Sequence, residues 1–320
     1  MRCYWQIAAI LGLMLAGSGL HAQQKYPTKP IRLIVPFPAG GQTDIVTRTF
    51  ALKLTEAFSQ TVVVDNRPGA GGTIGAEIAV RANPDGYSLA MVSGSYSANA
   101  ALYKLPYDPI NDVVPIVMVG EIPNLVTVHP SGPRSVKELI AFAKANPGKI
   151  NYGSGGTGSG VHLATELFNQ MTGTRMTHVP YKGATGAASD LIGGQIQLVF
   201  GGLPGMIPHV KANRLRGLAV TGAKRSNTVP DIPTVAETVP GYEAVSWAAV
   251  LGPKGLPKDL VARWNREMNR ILQLPDVKER MAADGLEIVG GPPERFREML
   301  RQDVAKWQKV VKAANIKLGG

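Results

Sequence analysis

Two glycine-rich turns, PFPAGGQTD at 36–44 and GSGGTGSG at 153–160, concentrate backbone N–H groups and hydroxyls suited to holding an anion. The first follows Ile31, Leu33, Ile34 and Val35, a buried-strand pattern, and precedes a helical stretch at 45–58 with Ile45, Val46, Phe50, Leu52 and Leu54 along one face. Pro36 and Pro38 stop the strand, Gly40 and Gly41 let the backbone turn and approach a ligand, and Thr43 or Asp44 caps the helix. Strand, turn and helix start in that order aim unpaired N–H groups and the positive end of a helix dipole at one point. The same geometry also makes a capped turn that binds nothing, and this stretch alone leaves both readings open.

Other chemistry has little support. Gly153, Gly155 and Gly158 match the dinucleotide pattern GxGxxG, but the next strand ends in Val179-Pro180-Tyr181-Lys182, without the acid that would hold a ribose. No serine sits in a GxSxG elbow. His129, His162, His178 and His209 show no metal-ligand spacing, and no paired carboxylates stand at strand ends. Asp44 reads as a cap before it reads as a catalytic acid. His162, in the first turn of a helix facing the second glycine-rich turn, reads either as a ligand contact or as a hydrogen-bonded packing histidine. No catalytic residue, metal or cofactor is expected.

The elements that must position these turns follow from periodicity. Strands are predicted at 61–64, 87–92, 112–119, 124–128, 149–152, 176–179, 196–200, 215–221 and 246–251. Helices are predicted at 73–82, 135–145, 161–171, 187–192, 206–212, 257–272, 277–284 and 293–315. Three βα repeats in succession argue for a parallel, doubly wound sheet. The third strand runs into Ser93-Gly94-Ser95, a second strand end rich in hydroxyls. Two glycine-rich strand-to-helix turns facing each other would wall a cleft between two domains.

The chain has 320 residues, 44% of them hydrophobic, which suits a globular fold of two domains. Residues 1–22 read as a signal peptide, with Arg2 in the n-region, an apolar stretch at 7–16 and cleavage near Ala22. The one cysteine, Cys3, falls inside it, so an exported mature chain carries no disulfide. The net charge of +11 suits a receptor for small anions; the basic residues Lys306, Lys309, Lys312 and Lys317 follow a solvated helix face, with no nucleic-acid motif.

The strings PFPAGGQTD (36–44), VVVDNRPGAGGTIGAE (62–77), PDGYSL (84–89), LYKLPYDPINDVVPI (102–116), HLATELF (162–168), HVPYKG (178–183), LRGLAV (215–220) and PDIPTVAE (230–237) complete the picture. In this order they closely resemble the periplasmic solute receptors of tripartite tricarboxylate transporters, the Bug or TctC-type receptors, over about 26–315. The resemblance implies a two-domain Venus-flytrap periplasmic binding protein fold of α/β class. Domain one would be 25–124 plus 247–320, and domain two, inserted in it, 125–246. It further implies a small organic carboxylate as ligand, captured by domain closure, permease subunits in the membrane as partners, and a monomeric, periplasmic protein. Family relatives also act as sensors, and an exported enzyme using the same cleft is the competing class. The ligand residues implied are Phe37, Gly41, Thr43, Asp44, Ser154, Thr157 and Gly158, with His162 and Tyr181; Ser93 and Ser95 join them from the hydroxyl-rich strand end. Two departures stand out. Phe200-Gly201-Gly202 lacks the acid that many family members carry after the phenylalanine, which weakens an amino-acid ligand, and its two glycines leave room for a longer or aromatic acid. Gln42 stands where a small residue is common, directed either to the cleft rim or to solvent.

Overall fold

The computed structural model describes residues 26–181 and 184–318; the expected signal peptide lies outside the described residues. Ten strands form one mixed sheet: β1 (Ile31–Val35), β2 (Val62–Asn66), β3 (Ser88–Ser93), β4 (Val113–Val128), β5 (Asn151–Ser154), β6 (Thr177–Pro180), β7 (Leu198–Gly202), β8 (Arg216–Val220), β9 (Val245–Pro253) and β10 (Glu287–Ile288). The helices are α1 (Gln42–Phe58), α2 (Thr73–Val80), α3 (Ser95–Leu102), α4 (Val136–Ala145), α5 (Gly160–Thr172), α6 (Ala184–Ile192), α7 (Leu203–Lys211), α8 (Lys258–Leu272), α9 (Pro275–Ala283) and α10 (Pro293–Ala313).

The strand order is β2-β1-β3-β9-β4-β7-β5-β6, with β8 and β10 also on β4. The sheet is parallel only within β2-β1-β3 and within β6-β5-β7; β9 runs antiparallel to β3 and to β4. The all-parallel expectation fails because β4 and β9 cross between the two parallel sets in opposite directions. The expected strands at 112–119 and 124–128 are one strand, β4. Its stretch from Val113 to Pro123 pairs with β9, and from Asn124 to Val128 it pairs with β7 and β8. The strand carries Pro115 and Pro123, with register shifts after Pro115 and after Met118.

Alternation along each strand builds a core on both faces. Ile31, Leu33 and Val35 pack with Phe50 and Leu54 of α1 and Trp264 of α8, while Ile34 turns to the other face with Val92, Trp247 and Phe296. In the second half, Val126 and Phe200 face Tyr152 and Phe168, while Leu125 and Val199 face Leu191 and Leu203. The last helix joins both halves: Phe296, Leu300 and Val304 belong to the first core, Trp307, Val310 and Val311 to the second.

Candidate functional site

The carboxyl ends of β1, β3 and β5 deliver three turns to one cavity of about 460 Å³. The turn after β1 contributes Phe37, the β3–α3 junction Ser93, Gly94 and Ser95, and the β5–α5 turn Gly155, Thr157, Gly158 and Ser159. Asn124 comes from β4, Val245 and Ser246 from β9, Trp307 from α10 and Leu318 from the chain beyond it. Helices α3 and α5 both begin at this cavity, from opposite halves of the sheet, so two sets of first-turn N–H groups and two positive dipole ends converge on it. Among the described residues no charged side chain lines it. A larger hollow of about 640 Å³, bounded by His129, Glu138, Phe142 and Gly194, shares no lining residue with it and carries the Glu138 carboxylate of the first turn of α4 in its wall.

Several expected residues stand behind this surface. The N-cap of α1 is Gly41, not Thr43 or Asp44, and it makes no side-chain cap bond. Asp44, only 1% exposed, accepts hydrogen bonds from Gly40 N (2.8 Å), Arg48 Nε (2.9 Å) and Asn66 Nδ2 (3.0 Å). Asn66 also donates to the Phe37 carbonyl (3.1 Å), so the end of β2 pins the whole turn. Burial by itself pushes the Asp44 carboxyl up; the donors from Arg48, Gly40 and Asn66 outweigh it and hold the group below its ordinary value. Thr43 holds helix geometry, its carbonyl accepting from Thr47 Oγ1. Gln42 donates to the Asp284 carbonyl (3.1 Å) beyond the end of α9, so it faces neither the cavity nor free solvent alone.

In the second turn, Ser154 is buried, with Oγ 2.6 Å from His178 Nε2, and it accepts from Gly156 N (3.1 Å). His162 accepts the Gly158 N–H on Nδ1 (2.9 Å) and lies flat on His178 at 3.8 Å. It supports the turn from behind and does not line the cavity. Tyr181 donates to Asp190 (2.7 Å), away from the lining. Phe200 is core, edge-on to Phe168. The two glycines after it differ: a Cβ on Gly201 would meet Met206 at 2.6 Å, so packing demands that glycine, whereas Gly202 faces open space beside Asn124, its partner in β4. The room expected from both therefore exists only at Gly202.

Of the expected residues, the cavity thus gathers Phe37, Ser93, Ser95, Thr157 and Gly158. It adds Asn99, Tyr103, Asn124, Ser246, Trp307 and Leu318. Ser95, Asn99 and Tyr103 recur every fourth residue along and just past α3, a helical spacing that was there to find once a helix is placed after Ser93. Asn99 also donates to the Gly71 carbonyl (3.0 Å), tying α3 to the loop after β2.

His162 gives the turn a measurable pH signature. Burial first, then His178 beside it, lowers its pKa from 6.5 to about 4. The unfolded chain therefore takes up a proton that the folded chain refuses across that window. Stability is intact above 6.5 and falls as pH drops towards 4. Between pH 7 and 5, urea unfolding of the wild type should lose on the order of 2 kcal/mol more than that of His162→Gln. Equal losses in the two proteins would remove His162 as the cause.

Strand carboxyl ends meeting at a ligand-sized cavity in a mixed two-part sheet define the periplasmic binding protein fold. The chain belongs to the tripartite tricarboxylate transporter family receptors: the TctC family model matches residues 46–316. It is 36% identical over 321 residues to Protein BugT of Bordetella pertussis, covering 98% of each chain. Its structure is similar to that of Rpa4515 of R. palustris with adipate, with a TM-score of 0.77 and 38% identity over 91% of this chain and 99% of that one. MatC of Rhodopseudomonas palustris with bound malate follows at a TM-score of 0.74 and 27% identity, over 89% of this chain and all of that one. The family and fold implied by the sequence strings are borne out. The receptors of this family are binding proteins, and among the described residues no helix is long and apolar enough to cross a membrane.

Proposed function

We propose that this protein is a periplasmic receptor that captures a small organic carboxylate between the two halves of its sheet and delivers it to the permease subunits of a tripartite tricarboxylate transporter. The observation that carries the reading is the convergence of the α3 and α5 helix starts, one from each half, on a cavity with no charged side chain among its described lining residues. Backbone N–H groups and the hydroxyls of Ser93, Ser95, Thr157 and Ser159 supply charge-assisted hydrogen bonds to a carboxylate. The adipate and malate held by the two relatives support that class of ligand. Contacts from both halves favour a closed state over an open one, which is what couples binding to closure.

The domain division that goes with this reading is 25–124 plus 247–320 for one lobe and 125–246 for the other, after a signal peptide cleaved near Ala22. The change of β4 partners between Pro123 and Asn124 supports the boundary. Trp307, Val310 and Val311 pack with the second lobe, so α10 straddles the hinge. The reading is of a binder: the described cavity surface offers hydroxyls and amides suited to holding a carboxylate.

Thermal unfolding of the purified protein with mono-, di- and tricarboxylates tests the proposal. An acid at a hundredfold excess over its Kd should stabilise the fold by about 2.7 kcal/mol. No stabilisation by any carboxylate would overturn it.

A further inference from the structure

The cavity lining combines two kinds of surface. Ser93, Ser95, Thr157 and Ser159 stand at the two helix starts and Asn99, Tyr103, Asn124 and Ser246 add further polar groups, while Leu102, Val161, Leu163, Trp307 and Leu318 supply apolar surface. Leu102 and Leu318 meet over Gly158: a Cβ built there would lie 3.0 Å from a methyl of Leu102 and 3.1 Å from one of Leu318. The glycine has φ +79°, so the close approach of two leucines and the backbone conformation both require it.

Leu318 is held there by the chain before it. Asn315 adopts a left-handed conformation (φ 50°), which asparagine tolerates, and reverses the chain after α10. Ile316 N donates to Val311 O (3.1 Å), and the Ile316 side chain packs against the second-half core. The reversal therefore returns Leu318 to the cavity, where it is half-buried. Trp307, one helical face earlier and only 4% exposed, continues the same apolar wall.

We propose that Leu318, with Leu102 and Trp307, forms a selectivity wall that favours carboxylates with a hydrocarbon body over short, hydroxylated di- and tricarboxylates. The inference rests on the carboxylate reading and deepens it. The helix starts take one carboxylate. Beside them the ligand meets the methyl groups of Leu102 and Leu318 and the Trp307 indole, where apolar surface is stabilised and a second carboxylate loses its water with no charged partner among the described lining residues. Leu318 is the selective element because it comes from outside both glycine-rich turns and, with Leu102, closes over Gly158 with hydrocarbon alone.

Calorimetric titration of the purified protein with hexanoate, benzoate, malate and citrate decides the matter, repeated on Leu318→Asn and Leu318→Ala. The wild type should bind hexanoate or benzoate at least about tenfold tighter than malate and citrate. Leu318→Asn should weaken the preferred acid about tenfold, and Leu318→Ala about fivefold, relative to malate. The half-exposed position keeps both variants folded, which their melting temperatures verify. Tighter binding of malate or citrate by the wild type would overturn the selectivity wall and leave the carboxylate reading standing. An equal loss for all acids in both Leu318 variants, or no loss, would overturn the role of Leu318. Failure of every acid to bind would overturn the carboxylate reading and the wall with it.

Discussion

Asp44→Ala should cost about 2 kcal/mol of stability at pH 7 and weaken ligand binding at least about tenfold. The carboxylate is the acceptor on which the first glycine-rich turn converges. Its removal takes the acceptor from the Gly40 N–H and from one Asn66 amide proton, both at part-buried hydrogen bonds. Each such loss costs about 1 kcal/mol where water reaches the donor. The Arg48 contribution is small, because that guanidinium is 56% exposed and returns to water. Asp44→Asn should be nearly as harmful, since its NH2 turns a donor towards groups that are themselves donors. The effect has a pH signature. The Asp44 pKa is lowered in the fold, so its stabilisation is present above the ordinary value of 3.8 and disappears as pH falls through the lower folded value. The wild type and the variant should therefore converge in strong acid. Chemical denaturation at pH 7 showing a loss under about 1 kcal/mol would mean the turn is held by something other than this carboxylate.

Asp303→Ala should be of similar size, about 3 kcal/mol, with a loss of ligand affinity alongside. Asp303 lies on α10, is 5% exposed, and accepts from Ser97 of α3, from Trp247 Nε1 of β9 (2.9 Å) and from Lys306 Nζ (2.7 Å). One carboxylate thus clamps the last helix to two elements that line the cavity, with Ser246 next to Trp247 and Ser95 two residues from Ser97. Truncation strands the Trp247 indole N–H in the core of the first half, while the Ser97 hydroxyl keeps only the Gly94 carbonyl (3.0 Å). Asp303→Asn keeps an acceptor for the indole and the volume of the side chain, so it should retain roughly half of the lost stability. Urea midpoints for the two variants, together with their Kd for whichever acid the panel identifies, check this. Equal losses for Asn and Ala would show that charge, not hydrogen bonding, holds the clamp.

The legible part of the site is local. Strand, turn and helix at 31–58 can be read from apolar spacing and glycine placement, and the observed elements differ mainly at their ends. Ser135 as the N-cap of α4 is legible too, and its Oγ does accept the Glu138 N–H, although the Glu138 side chain turns to Arg134 N and leaves the reciprocal half of the box open. Helix α3 is not legible: SYSANAAL has weak amphipathy and small residues, and it is helical because Tyr96, Ala98 and Asn99 are buried against neighbouring elements. Asn99 and Tyr103 are lost to a sequence reading along with it.

The sequence alone determined the family, through the strings that resemble it, and also the α/β class and the two glycine-rich turns, because these rest on short-range periodicity and on glycines whose backbone needs are local. Only the tertiary structure decided which residues of those turns face the cavity. Asp44, Ser154 and His162 have the chemistry to touch a ligand, but long-range partners claim them: Asn66 from β2 for Asp44, and His178 from β6 for Ser154 and His162. The apolar side of the cavity was likewise beyond local pattern, since Leu102, Trp307 and Leu318 are separated by some two hundred residues and meet only where α10 spans both halves of the sheet. A side chain's direction is set by the packing that burial enforces around it, and that information is spread over the whole chain.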